Sequence, residues 1–177
     1  MVSEFQQRKY EKMFNQFDAN RDGVIEETDI TAMAQSWCDT FGIAPRSEGW
    51  SKVYKTASKM WRDLQGSMDT SGDKKVTMDE WIASLTNPDF VETAAVPFSV
   101  AVFDIADKDG DGQLTFEEWS AAFNTAGLSD QEARQVFDKM DTDDDGHVER
   151  EEFAQATKDF YLSDDPNAAG NLLAGRL

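Results

Sequence analysis

Cysteine and histidine are nearly absent, one of each in 177 residues, and basic side chains number 17 against 35 acidic ones. The lone Cys38 cannot close a disulfide within the chain, so nothing calls for an oxidising compartment and the expected location is cytoplasmic. The opening residues Met1-Val2-Ser3-Glu4-Phe5 lack the apolar core of a secretion signal, and Val2 stands where myristoylation needs glycine. The longest stretch free of charge, Thr93 to Phe103, falls far short of the ~20 apolar residues of a membrane span and contains Pro97. A net charge of -18 excludes nucleic acid and anionic membrane as partners. Cys38 and His147 do not suggest a nucleophile and its base, and no glycine-rich phosphate loop is present, so an enzyme is not expected.

Apolar residues are plentiful, at 40% with 12 Phe and 5 Trp, which separates the chain from disordered acidic sequences. The acid is concentrated. Four 12-residue windows, starting at Asp18, Asp69, Asp107 and Asp141, hold 21 of the 35 carboxylates. Their flanks repeat as well: Phe14, Gln65, Phe103 and Phe137 lie four positions ahead, Ile25, Val76, Leu114 and Val148 stand eighth, and Ile30, Trp81, Trp119 and Phe153 follow directly. An acidic loop with one apolar residue inside it, between apolar-periodic segments, is a helix-loop-helix unit.

The spacing suits a hard cation. Ca2+ takes about six to eight oxygens at roughly 2.3–2.6 Å, and one short loop supplies them from side chains at positions 1, 3 and 5, a main-chain carbonyl at 7 and a long carboxylate at 12, with glycine at 6 for the sharp turn. The third window meets every requirement, with Asp107, Asp109, Asp111, the Gln113 carbonyl and Glu118 around Gly112. So does the fourth, with Asp141, Asp143, Asp145, the His147 carbonyl and Glu152 around Gly146, and Glu149 at the ninth position. The first offers Asp18, Asn20, Asp22, the Val24 carbonyl and Asp29. Its terminal aspartate is one methylene short, which favours Mg2+ more than a glutamate would, and Glu26 at position 9 could ligate directly in compensation. The second offers Asp69, Ser71, Asp73, the Lys75 carbonyl and Glu80, but Lys74 occupies the turn and two ammonium groups oppose a cation. It is read as a scaffold that pairs with the first loop through Val76 and Ile25, so three Ca2+ sites are expected, the first open to Mg2+.

These motifs resemble EF-hands. Loop starts separated by 51, 38 and 34 residues, with a Trp-rich filling in the first gap, are similar to the sarcoplasmic calcium-binding proteins and the bacterial calerythrin-like proteins. The resemblance implies an all-α fold in which two pairs of EF-hand units, 1–87 and 88–177, pack into one compact globule. It also implies a monomeric calcium buffer or transporter; the alternative is a sensor that changes shape on Ca2+ binding and regulates a partner protein. Six of seven Met lie in the first half, away from the two best loops, which favours the buffer over a Met-lined groove. Trp37, Trp50, Trp61, Trp81 and Trp119 are expected in the core rather than around a ligand as in the related photoproteins, whose several buried histidines this chain lacks. Helices are predicted near 3–17, 27–42, 48–66, 78–86, 88–105, 116–126, 129–140 and 150–162, with Pro97 kinking the fifth and Gly127 closing the sixth.

Overall fold

Serine, threonine or asparagine stands just ahead of five helices and accepts a backbone amide of the first turn: Ser3, Ser47, Thr77, Asn87 and Ser129. The computed structural model describes residues 2–123 and 129–173. Its helices are α1 (Glu4–Phe17), α2 (Glu27–Thr40), α3 (Glu48–Met68), α4 (Met78–Leu85), α5 (Pro88–Phe90), α6 (Val96–Ala106), α7 (Phe116–Phe123), α8 (Asp130–Met140) and α9 (Arg150–Leu162). Just past the end of α2, Gly42 has a φ of 64°, which lets the Ile43 amide bond back to the Cys38 carbonyl at 2.8 Å. Gly127 lies outside the described residues.

The segment predicted as one kinked helix over 88–105 is built differently. Between α5 and α6 runs a turn of π-helix, Val91–Ala95. Pro97 has no amide to donate and its ring crowds the carbonyl four residues back, so the chain widens one turn upstream of it instead of simply bending.

Two-residue strands link the loops in pairs. β1 (Val24–Ile25) runs antiparallel to β2 (Val76–Thr77), with Ile25 opposite Val76, and β3 (Gln113–Leu114) to β4 (Val148–Glu149), with Leu114 opposite Val148. All four eighth-position residues are fully buried. The flanking Phe14, Phe103, Phe137, Ile30, Trp81, Trp119 and Phe153 are buried too, as the repeat predicts. One core cluster, around Phe14, Phe17, Trp61 and Trp81, extends into the second half through Ile105, Phe160 and Tyr161. A second, around Phe103, Trp119, Phe137 and Phe153, touches the first where Phe41 and Leu173 pack on both. The tryptophans divide: Trp61, Trp81 and Trp119 are core, whereas Trp37 stacks on Phe98, Trp50 stacks on Tyr54, and both are only partly buried.

Beyond α9 the chain returns to the body as a short 3-10 turn, Ala169–Leu172. Gly170 sits so close to α9 that a Cβ would stand 1.7 Å from the Ala156 carbonyl oxygen, so only glycine allows this docking. Lys9 of α1 fastens the same segment. Fully buried, its ammonium donates to the Ser163 carbonyl at 2.7 Å and to Asn171 Oδ1 at 3.3 Å, between the rings of Phe5 and Phe160. Burial pulls its pKa down to about 8, against the opposing pull of Asp164 and Asp159. Below that pH the ammonium is present in both folded and unfolded chains. Between pH 8 and the unfolded value near 10.5 the native state releases the proton first, so this group's contribution to stability rises with pH. Burial also pushes the Tyr10 hydroxyl up to about 12, which acts oppositely above pH 10 but is shared by any Lys9 variant. The stability of wild type relative to Lys9→Met, measured by urea unfolding, is therefore expected to improve from pH 8 to 10.5; a gap independent of pH would refute the assignment.

Candidate metal centres

Aspartate at position 1 organises each loop by accepting backbone amides. The position-6 amide donates to its Oδ2 in all four: Gly23 to Asp18 at 2.9 Å, Lys74 to Asp69 at 2.8 Å, Gly112 to Asp107 at 3.0 Å and Gly146 to Asp141 at 2.9 Å. Position 5 accepts the amide of position 7 in the same way, at 3.1 Å for Asp22, 3.0 Å for Asp73, 2.9 Å for Asp111 and 2.8 Å for Asp145. These bonds curl the chain so that the acidic side chains converge. Position 6 is left-handed throughout, with φ of 89° at Gly23, 66° at Lys74, 88° at Gly112 and 89° at Gly146. Lys74 thus holds the strained conformation that the sequence foretold.

Position 4 is left-handed as well, at Arg21 (60°), Gly72 (78°), Gly110 (76°) and Asp144 (58°), a second turn that the sequence reading missed. Glycine at Gly72 and Gly110 was the available signal.

The twelfth residue reaches back from the helix to close the loop. Glu118 Oε1 accepts the Lys108 amide at 3.0 Å, and its Oε2 accepts the Thr115 amide at 3.0 Å and hydroxyl at 2.8 Å. Glu152 spans from the Thr142 amide at 2.7 Å to that of Glu149 at 3.0 Å. Glu80 does likewise between Thr70 and Thr77, each at 3.0 Å. Asp29 is shorter and buried: it takes the Glu26 amide at 2.8 Å but finds the third loop residue, Asn20, at 3.2 Å, where each glutamate reaches the second. Bonds from Thr77, Thr70 and Ser71 hold the Glu80 carboxyl at about 2. Burial pushes that of Glu118 up, yet the amides of Lys108 and Thr115 outweigh it and hold the group below its ordinary value.

In the third loop, carboxylate oxygens of Asp107, Asp109 and Glu118 lie within 4.8 Å of one another; in the fourth, those of Asp141, Asp143 and Asp145 do. A convergent set of hard oxygen donors fits Ca2+. Asp111 and Glu152 stand outside these groups, held by the amide contacts above. His147 is half exposed, its Nδ1 3.6 Å from Asp145 Oδ1, which leaves its main chain for the loop. Cys38 is buried, and burial pushes its thiol pKa up, away from reactivity.

Glu26 is placed differently from the sequence reading, which had it compensating for Asp29. Its Oε1 meets the Lys75 ammonium at 2.5 Å across the β1–β2 bridge. That ammonium therefore faces a carboxylate of the neighbouring loop rather than only the acidic groups of its own. A cavity of about 440 Å3 opens where the halves meet, lined by Met13, Met33, Trp37, Phe41, Phe98 and Phe153 among others. No helix among the described residues is long and apolar enough to cross a membrane.

A family model of an EF-hand domain pair matches residues 100–158, and a model of an EF hand matches residues 11–33. The solved structure of a Streptomyces coelicolor calcium-binding protein, described as mediating prokaryotic calcium-mediated regulation, is similar at 31% identity and a TM-score of 0.74, covering 89% of this chain and 98% of that one. The sarcoplasmic calcium-binding protein of amphioxus matches in fold with a TM-score of 0.78 over the full length of both chains, at 20% identity. Clytin of Clytia gregaria is 28% identical over 92% of this chain and 85% of its own length.

Proposed function

Because the chain belongs to the EF-hand calcium-binding proteins, we propose that it acts as a Ca2+ buffer, with ions held in the first, third and fourth loops. Asp107, Asp109, Asp111, Glu118 and the Gln113 carbonyl would hold one ion; Asp141, Asp143, Asp145, Glu152 and the His147 carbonyl a second. Asp18, Asn20, Asp22, Asp29 and the Val24 carbonyl would hold the third, with Mg2+ competing there because Asp29 is short. The second loop, with Asp69, Ser71, Asp73, Lys75 and Glu80, serves as the scaffold. The metal supplies counter-charge: three Ca2+ raise the formal net charge of -18 by 6, to -12.

The observation that carries the buffer reading is the joint core. A sensor must present an apolar groove to a target, whereas here α6 and α9 of the 88–177 half share a cluster with α1, α3 and α4 of the 1–87 half. Among the described residues, Leu162 is the exposed large hydrophobic, at 38%. The second reading, a sensor regulating a partner protein, draws on the cavity with Met13 and Met33 in its wall and on the regulatory description of the Streptomyces protein.

Calorimetric titration with Ca2+, with and without Mg2+, tests the reading when a hydrophobic dye is followed in parallel. Three tight sites, one weakened by Mg2+, with flat or falling dye fluorescence are expected. A dye signal that climbs above that of the chelated, folded protein transfers the assignment to a sensor, and absence of heat at micromolar Ca2+ removes the calcium role altogether.

A further inference from the structure

The register of the first bridge sets Val24 opposite Thr77 and Ile25 opposite Val76, so Glu26 and Lys75 come next to each other at its end. The ammonium and the carboxylate then meet at 2.5 Å, both partly exposed. The second bridge has the corresponding pair without a cation: Gln113 is opposite Glu149, and Gln113 Nε2 donates to Glu149 Oε1 at 3.3 Å. In each bridge the seventh residue of one loop grips the ninth of the other. Only the first does so with a full positive charge, and the carboxylates of Asp22 and Asp73 lie within its electrostatic reach.

We propose that Lys75 sets the affinity of the first loop for divalent cations. The inference rests on the first loop being a site, as argued above. Lys75 acts in two ways. Its ammonium occupies the carboxylate that would otherwise turn inward as a further ligand beside the short Asp29. It also adds a fixed positive charge at the rim of the Asp18–Asp29 loop, which repels an incoming M2+ and is offset only in part by Glu26. Lys75 is thus a positioning residue, reaching the metal through Glu26 and through its field. Of the three loops read as sites, the one with the weakest ligand set is kept the weakest binder, so the molecule holds sites of graded affinity.

The amides of Gly23, Gly112 and Gly146 each donate to the first aspartate of a different loop, so their NMR signals resolve the three loops. Ca2+ is titrated into wild type, Lys75→Gln, which copies the amide–carboxylate pair of the second bridge, and Lys75→Arg, which keeps the charge. The Gly23 signal is expected to reach its midpoint at a Ca2+ concentration at least about fivefold lower in K75Q. Added 0.5 M NaCl should narrow that difference, since screening weakens the field. In K75R the midpoint stays near that of wild type, and Gly112 and Gly146 keep theirs in all three proteins. An unchanged Gly23 midpoint in K75Q, or an equal shift in K75R, overturns the proposal. If Gly23 ignores Ca2+ in every variant while Gly112 and Gly146 respond, the proposal fails and the buffer reading survives with two sites. If none of the three responds, the calcium reading itself fails.

Discussion

Adding millimolar Ca2+ to the chelated protein is expected to raise its melting temperature by more than about 20 °C. Without metal, the third and fourth loops each keep three carboxylates within 4.8 Å of one another. Backbone amides satisfy some of their oxygens, but among the described residues no lysine or arginine pairs with these carboxylates, and Asp141 is buried besides. A ligand bound by the native state alone stabilises it by mass action. For a site with a dissociation constant near 0.1 μM, 1 mM Ca2+ contributes about 5 kcal/mol. In a chain of this length each kcal/mol moves the midpoint by about 2–4 °C, so two such sites suffice for the stated rise. Equal midpoints in chelator and in millimolar Ca2+, measured by circular dichroism, would contradict it.

Trp81→Ala should cost about 3–5 kcal/mol in Ca2+-containing buffer. Trp81 follows the second loop directly and is 2% exposed. Its ring meets Phe14 edge-on at 6.0 Å and Phe17 at 5.2 Å, and its Nε1 donates to the Tyr10 carbonyl at 3.0 Å, so one side chain joins α4 to α1 across the first pair of loops. Truncation removes these contacts and leaves a cavity that the rigid surrounding rings cannot fill. The urea midpoint should fall without a change of slope, and Trp81→Phe should recover part of the loss. A loss below about 1 kcal/mol would show that the second loop's helix carries little of the stability of the first half.

The helices and loop starts were legible because each rests on a local signal: a capping hydroxyl, an acidic repeat, an apolar residue at the eighth position. Ser129 with Glu132 and Thr77 with Glu80 form capping boxes, a pairing of two residues three positions apart that is visible in the chain itself. What was not legible depends on residues distant in the chain. The Lys75–Glu26 contact needs the register of the bridge, and the docking of Gly170 on α9 needs the tertiary path of the tail. Trp37 and Trp50 sit in helices as the core tryptophans do, yet α2 and α3 place them at the edge of the core, and residue type alone does not say which face is outermost. The π turn before Pro97 is a choice between two ways of accommodating one missing amide, both open to the same sequence.

Each bridge between loops is two residues long, too short to persist unless the helices on either side hold it. The two loops of a pair therefore share a single joint. Stiffening by the first ion to arrive also restrains the backbone of the partner loop, and the conformational entropy lost there need not be lost again. In the second half, where both loops carry the full acidic pattern in sequence, this favours loading as a unit: an uptake curve steeper than independent sites would give, with the half-filled pair a scarce species.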